Sequence, residues 1–207
     1  MSRPEDRSMM AYFVEQTRSY AARAAAHGVD LDQFAGGQAP QVLFISCSDA
    51  RLAPAWLTGS RPGELLELRT HGGTVSRYQP ENPLPDAVTI EFAVERLNVA
   101  DIIVCGHSQC EVVRADVFPG TNSHPGSEDP SAGAVTTDVQ VPQDITTGDV
   151  TAAGHLHVIR QLDVLSDYPC IALRMADNSL RLHAWFHEVE TGATLQHRPT
   201  ANAFLPL

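Results

Sequence analysis

Two short segments of this sequence bring together residue types that bind metal ions. Cys47-Ser48-Asp49-Ala50-Arg51 ends one apolar run, and His107-Ser108-Gln109-Cys110 ends another. Two thiolates and one imidazole form the ligand set of a catalytic zinc ion whose fourth position stays open. The segments therefore predict a zinc site with Cys47, His107 and Cys110 as ligands. The alternative is that the two cysteines are small buried hydrophobic residues and that the histidine caps a helix.

A charged pair, Asp49 and Arg51, stands directly beside the first of these ligands. A zinc ion with two thiolate ligands keeps little positive charge, so its water should be less acidic than on a three-histidine zinc. We expect Asp49 to accept a hydrogen bond from that water and Arg51 to keep Asp49 ionised and oriented. Released by Arg51, Asp49 would become a fourth ligand and close the site. A structural ion pair within the loop is the alternative.

Three further residues are candidates for ligands or for walls of the site. Cys105 lies inside an apolar predicted strand, and Cys170 begins another apolar stretch, so both are predicted to be core residues. His71 stands beside Gly72 and Gly73 at the end of a predicted strand, which makes it a candidate pocket residue.

Composition limits the class of protein. The 207 residues are 43% hydrophobic and 19% charged, which is typical of one soluble globular domain. The net charge of -11 and the lack of a basic stripe argue against a nucleic-acid partner, although an anionic substrate remains possible. With no apolar run of membrane-spanning length and no signal-like apolar segment at the N-terminus, we expect no membrane partner and a cytoplasmic location. There, the four cysteines would stay reduced.

The predicted elements place both segments at one edge of a sheet. Apolar strand-like runs at 41–46, 64–69 and 101–105 alternate with predicted helices, and a strand at 179–188 turns into a hairpin with 193–197. The predicted helices lie at 9–27, 85–98, 109–116 and 152–167. This alternation predicts an α/β fold with a central parallel sheet flanked by helices. Because sites in such sheets gather at the carboxyl ends of strands, Cys47 and His107 should meet.

Residues 117–150 differ from the rest of the chain. They are rich in Pro, Gly, Ser, Thr and Asp and poor in large apolar side chains, so we interpret them as a long polar loop, partly disordered. They are too polar to form a second domain. The prediction is one domain over 1–207, with residues 1–35 as an N-terminal helical arm.

Several blocks resemble the signature segments of the β-class carbonic anhydrases, in the same order and over about residues 10 to 198. They are Cys47–Arg51, Glu91–Val94, Gly106–Cys110, Leu182–Trp185 and Glu190–Gly192. The resemblance implies a zinc lyase in which zinc-bound hydroxide reversibly hydrates carbon dioxide to bicarbonate. It implies four parallel strands with an antiparallel fifth at one edge, and a homodimer or homotetramer whose N-terminal helices wrap over the partner. By position, Cys47, His107 and Cys110 match the zinc ligands, and Asp49 with Arg51 matches the catalytic dyad.

The sequence departs from the family pattern in three places. Glu111 stands where the family usually has glycine, and Arg69-Thr70-His71-Gly72-Gly73 replaces an Arg-Asn-x-x-Asn type segment. The polar loop 117–150 replaces a helical stretch. His71, Gly72 and Glu111 are therefore predicted to line an altered pocket. These departures keep two alternatives open: a zinc enzyme of the same fold acting on carbonyl sulfide, carbon disulfide or a larger substrate, and a non-catalytic zinc-binding scaffold.

Overall fold

The computed structural model describes residues 8–117 and 150–207, and the chain divides into two compact units, Met1–Ala39 and Pro40–Leu207. The predicted polar loop at 117–150 lies outside the described residues except at its two ends. The assignment of one domain with an N-terminal arm stays a prediction. Among the described helices, none is both long and apolar enough to cross a membrane.

The first unit is helical. The predicted helix at 9–27 is present as two pieces, α1 (Met9–Arg18) and α2 (Tyr20–Ala26), followed by a short 3-10 turn at Leu31–Phe34. Ser19 separates the pieces: its backbone leaves helical geometry, and its hydroxyl donates to the carbonyl oxygen of Gln16 at 3.1 Å. Serine favours such local bonds over a continuous helix, which explains the break.

The second unit is built on a six-stranded sheet in the order β2-β1-β3-β4-β5-β6. In chain order the strands are β1 (Val42–Cys47), β2 (Leu65–Thr70), β3 (Asp101–His107), β4 (Arg181–His187), β5 (Thr194–Arg198) and β6 (Ala203–Pro206). The first four in the sheet order run parallel, and β5 and β6 are antiparallel. The parallel α/β core is confirmed. Beyond the implied antiparallel fifth strand, β5, the sheet gains a sixth strand at its edge, because the C-terminal residues of β6 pair antiparallel with β5.

Both faces of the parallel core are covered, as its unbroken apolar strands predict. On β1, Leu43 and Ile45 join the main core, while Phe44 packs on the other face with Ile103 and Cys105. Cys105 is thus a core residue, as predicted, and burial raises the pKa of its thiol to about 12.

Helices flank the sheet: α3 (Pro54–Thr58), α4 (Pro85–Glu91), α5 (Glu111–Val117), α6 (Val150–Ser166) and α7 (Pro169–Ala176). A π-helical turn, Phe92–Arg96, extends α4 and completes the predicted helix at 85–98. The sequence analysis predicted neither α3 nor α7. Pro169 begins α7, because its missing N–H and fixed φ suit the first turn of a helix.

The longest helix, α6, lies close against the sheet beside the carboxyl end of β3. A Cβ atom at Gly154 would lie 2.7 Å from Cε2 of Phe186 on β4, so glycine permits this approach. The close contact brings side chains of α6 toward the edge where β1 and β3 end.

Candidate metal centre and active site

The three predicted ligands meet at the carboxyl edge of the sheet. Cys47 ends β1, His107 ends the neighbouring strand β3, and Cys110 follows before α5. All three are buried, and their ligand atoms lie within 4.8 Å of one another. Neighbouring ligands of a tetrahedral zinc are separated by about 3.5 to 3.8 Å, given Zn–S of about 2.3 Å and Zn–N of about 2.0 Å. The cluster therefore offers the donor types that zinc requires, close enough together to share one ion.

The hydrogen bonding of the His107 imidazole leaves Nε2 as the ring nitrogen that could bind a metal ion. Its Nδ1 lies 2.9 Å from the carbonyl oxygen of Ser108, and a carbonyl only accepts, so Nδ1 carries the proton. In the neutral ring Nε2 is then an unprotonated acceptor, and it is buried with no oxygen or nitrogen partner among the described residues; its interacting neighbour is the Cys47 sulfur. An unsatisfied buried nitrogen beside two thiols is the arrangement that a bound cation would complete.

The Cys47 sulfur is stabilised as a thiolate. The hydrogen bond from Cys110 lowers the pKa of Cys47 to about 3, against the opposing effect of burial, with a further contribution from His107. Two backbone N–H groups, of Asp49 at 3.4 Å and of Gly72, also donate to this sulfur. The same shared bond raises the pKa of Cys110, so Cys47 is the thiol of the pair that ionises first.

Asp49 and Arg51 form a two-pronged ion pair beside the ligands. Arg51 Nε donates to Asp49 Oδ1 at 3.0 Å and Nη2 donates to Oδ2 at 2.7 Å, while the Arg51 backbone N–H donates to Oδ1 at 2.9 Å. These bonds hold the pKa of Asp49 well below its usual range. Asp49 Oδ2 lies 3.9 Å from His107 Nε2, and Asp49 is not part of the compact ligand group found among the described side chains.

Arg69 also contacts the candidate site, and the sequence pattern assigned it no individual role. It lies next to last on β2, and its guanidinium donates from Nε and Nη2 to the Cys47 carbonyl oxygen at 3.2 and 3.1 Å. Nη2 also donates to the Asp49 carbonyl oxygen at 2.6 Å. Arg69 lies at the end of β2 as Cys47 lies at the end of β1, so the apolar run at 64–69 already indicates that it reaches the same edge of the sheet.

The three predicted pocket residues lie in different surroundings. Gly72 is buried against Cys47, with φ +73° and so little room that a Cβ would lie 2.8 Å from Val112 Cγ1. His71 is exposed. Glu111 begins α5 directly after Cys110, but its side chain is 73% exposed and lies 3.6 Å from Arg114.

His157 on α6 is a second residue that the sequence did not single out. Its Nε2 lies 3.0 Å from the carbonyl oxygen of Gly72, the residue whose N–H donates to the Cys47 sulfur. Nothing in the local sequence around residue 157 signals this contact, because the two residues are 85 positions apart.

Apolar side chains surround the two thiols. Val113 is buried with Cys47 and Cys110, and three half-buried residues pack on the group: Val112, Val150 and Ala153. The side of the cluster that faces these residues is therefore apolar.

Comparison with known proteins agrees with this geometry. The family profile described as carbonic anhydrase matches residues 42–194. A carbonic anhydrase of Pseudomonas aeruginosa is 35% identical over 162 residues, which are 75% of this chain and 72% of that protein. The β-carbonic anhydrase CcaA superposes with a TM-score of 0.78 at 23% identity, covering 97% of this chain and all of the other.

A second structural relative comes from the ascomycete Sordaria macrospora, described as a tetrameric β-carbonic anhydrase. It superposes with a TM-score of 0.70 at 23% identity over 90% of this chain and 95% of that one. These likenesses establish the fold, and the profile and the bacterial relative establish the family. The chain therefore belongs to the β-class carbonic anhydrases, zinc-dependent lyases that interconvert carbon dioxide and bicarbonate.

Proposed function

We propose that this chain hydrates carbon dioxide with Cys47, His107 and Cys110 as its zinc ligands and with Asp49 and Arg51 as its catalytic dyad. The observation that supports this most directly is the buried, unsatisfied Nε2 of His107, which lies beside two thiols and 3.9 Å from a carboxylate that Arg51 holds. A bound zinc ion would supply a Lewis acid that makes a water molecule acidic enough to act as a nucleophile near neutral pH.

Asp49 acts in this proposal as a hydrogen-bond acceptor. Its lowered pKa keeps the carboxylate ionised across the neutral range, so it accepts hydrogen bonds without storing the proton that hydration releases. Arg51 fixes the direction of the two oxygens through its paired bonds. The released proton must therefore pass to the surrounding buffer.

The ion pair of Asp49 with Arg51 also supports a metal site whose fourth coordination position is open before substrate binds. Both carboxylate oxygens are bound by Arg51, so Asp49 would have to break two charge-assisted bonds before it became a fourth metal ligand. The position left beside Cys47, His107 and Cys110 is thus available to water. The apolar wall of Val112 and Val113 suits carbon dioxide, which has no hydrogen to donate.

The test is a stopped-flow assay of carbon dioxide hydration, with zinc content measured on the same sample. The wild-type protein should hold one zinc per chain and hydrate carbon dioxide. Asp49→Asn, which keeps the side-chain shape, should lower kcat/KM by roughly 10²-fold or more with zinc content unchanged. A wild-type protein with full zinc content and no hydration activity would refute the proposal. Carbonyl sulfide and carbon disulfide, assayed alongside, address the alternative substrates.

We further propose a homodimer or homotetramer. Three apolar side chains spaced four residues apart, Leu84, Val88 and Phe92, are 43 to 50% exposed along α4 and its extension. The N-terminal unit also exposes Met10 and Phe13. Apolar surfaces of this kind favour subunit contact. Light scattering after gel filtration should give two or four chains, and Val88→Asp should lower that number. A wild-type monomer at micromolar concentration would contradict the proposal.

A cytoplasmic location is the last part of the proposal. All four cysteines lie within the described part of the chain and are free thiols. Reduced thiols persist in the cytoplasm, and two of them are required as ligands here. Thiol titration of the unfolded protein, purified without reductant and stripped of zinc, should count four groups.

A further inference from the structure

The two-residue link between the ligands His107 and Cys110 has an unfavourable backbone conformation. Gln109 has φ +52°, in the left-handed region that non-glycine residues rarely adopt. The link cannot relax freely, because it must bring both ligand atoms into one cluster. Something outside the link must therefore hold it in place.

Glu190, in the turn that follows β4, holds the link in this conformation. Its Oε2 accepts a hydrogen bond from the Ser108 hydroxyl at 2.7 Å, and its Oε1 accepts one from the Gln109 side-chain amide. One carboxylate thus binds both residues of the link. The Ser108 hydroxyl also accepts a hydrogen bond from the Val189 N–H at 2.9 Å, and the Ser108 N–H donates to the His187 carbonyl oxygen at 2.9 Å.

The link also touches the proposed dyad. Arg51 Nη2, which donates to Asp49, donates as well to the Gln109 carbonyl oxygen at 3.2 Å. The orientation of the Gln109 peptide therefore affects where the Arg51 guanidinium lies. A chain of hydrogen bonds runs from Glu190 through Gln109 to Arg51 and Asp49.

We propose that Glu190 is a positioning residue, which sets the spacing of His107 and Cys110 and the placement of Arg51 through its bonds to Ser108 and Gln109. The proposal rests on the ligand roles proposed above. Glu190 itself is exposed and contributes nothing to the apolar core, so its loss should leave the fold intact. Its influence should appear at the metal centre.

The test compares Glu190→Ala with Glu188→Ala. Glu188 is a matched control, because it lies in the same turn and its carboxylate accepts from the Thr191 hydroxyl at 2.8 Å. We expect Glu190→Ala to release zinc to a coloured chelator at least tenfold faster than the wild type, with little change in melting temperature. The visible absorption of the cobalt-substituted protein should change in the same variant. Glu188→Ala should match the wild type in both measurements.

Steady-state kinetics of Glu190→Ala and the zinc retention of the conservative variant Glu190→Gln test the same inference. Glu190→Ala should lower kcat more than it changes KM, and Glu190→Gln, which keeps an acceptor for Ser108, should recover part of the zinc retention. If Glu190→Ala releases zinc at the wild-type rate and its cobalt spectrum is unchanged, the inference about Glu190 is wrong. This holds even if the wild-type enzyme is fully active. A wild-type protein that binds no zinc would instead refute the proposed function.

Discussion

His157 Nε2 lies 3.0 Å from the carbonyl oxygen of Gly72, and the Gly72 N–H donates to the Cys47 sulfur. The helix α6 therefore supports a proposed metal ligand, Cys47, through a single intervening residue. Burial lowers the pKa of His157, so the ring is neutral at pH 7. A neutral ring that bonds a carbonyl through Nε2 must carry its proton there, which leaves Nδ1 unprotonated.

The burial of His157 predicts a pH-dependent contribution to stability, because burial lowers the pKa of the ring more than the hydrogen bond to Gly72 raises it. The folded-state pKa of His157 lies below its unfolded value of about 6.5, so the unfolded state takes up the proton first. The stabilisation is fully present above about pH 6.5 and is lost as the pH falls below it.

His157→Phe tests this by removing the donor while keeping a ring. It should lower the free energy of unfolding by about 1–3 kcal/mol at pH 7.5, since it leaves a carbonyl without its partner. Urea titrations at pH 7.5 and 5.5 should show a smaller difference between variant and wild type at the lower pH. An equal difference at both pH values would contradict the proposed titration.

A second prediction concerns the close contact between Gly72 and Val112. Gly72→Ala places a methyl group 2.8 Å from Val112 Cγ1 and also forces alanine into left-handed geometry, which alone costs about 1–2 kcal/mol. The double variant Gly72→Ala with Val112→Ala should recover part of the steric loss, since the Val112 Cβ would still lie 3.0 Å from the new methyl group, and none of the conformational loss. Chemical denaturation of both single variants and the double variant measures this coupling. Strict additivity would show that the two side chains do not compete for space.

Arg51→Gln should separate the two effects of Arg51 on Asp49. Loss of the paired bonds should lower kcat/KM by roughly 10²-fold through misplacement of the carboxylate. It should also raise the pKa of Asp49 toward its ordinary value, so any acid limb caused by Asp49 moves to higher pH. Arg51→Lys keeps the positive charge but loses the two-pronged geometry of the guanidinium. Its kcat/KM should therefore lie between those of the wild type and of Arg51→Gln. Full activity in Arg51→Gln would exclude a role for the pair.

Metal removal provides the last prediction. Chelation should abolish activity and lower the melting temperature, because a ligand bound only by the folded state stabilises it. Cys47→Ser should fail to regain stoichiometric zinc after dialysis. Cys170→Ser is the matched control, since Cys170 packs against the core and lies outside the ligand cluster. Equal zinc loss in both variants would point to unfolding and would contradict a specific ligand role.

The sequence alone predicted the components of the proposed site. Cys47 and His107 stand at the ends of unbroken apolar runs, and the strand that a run predicts fixes which edge of a parallel sheet its last residue occupies. The proposed ligands and dyad lie within two stretches of five residues and four residues, so local spacing was sufficient to find them. The core position of Cys105 followed from the same strand pattern.

Only the tertiary structure decided what holds these components in place. Arg69 reaches Cys47 across 22 positions, His157 reaches Gly72 across 85, and Glu190 reaches Ser108 across 82. Hydrophobic periodicity reports which face of an element is buried, but it does not say which polar side chains of distant elements will meet. Those partners are set by how closely α6 packs on the sheet and where the turn after β4 ends, which depend on contacts among the whole chain.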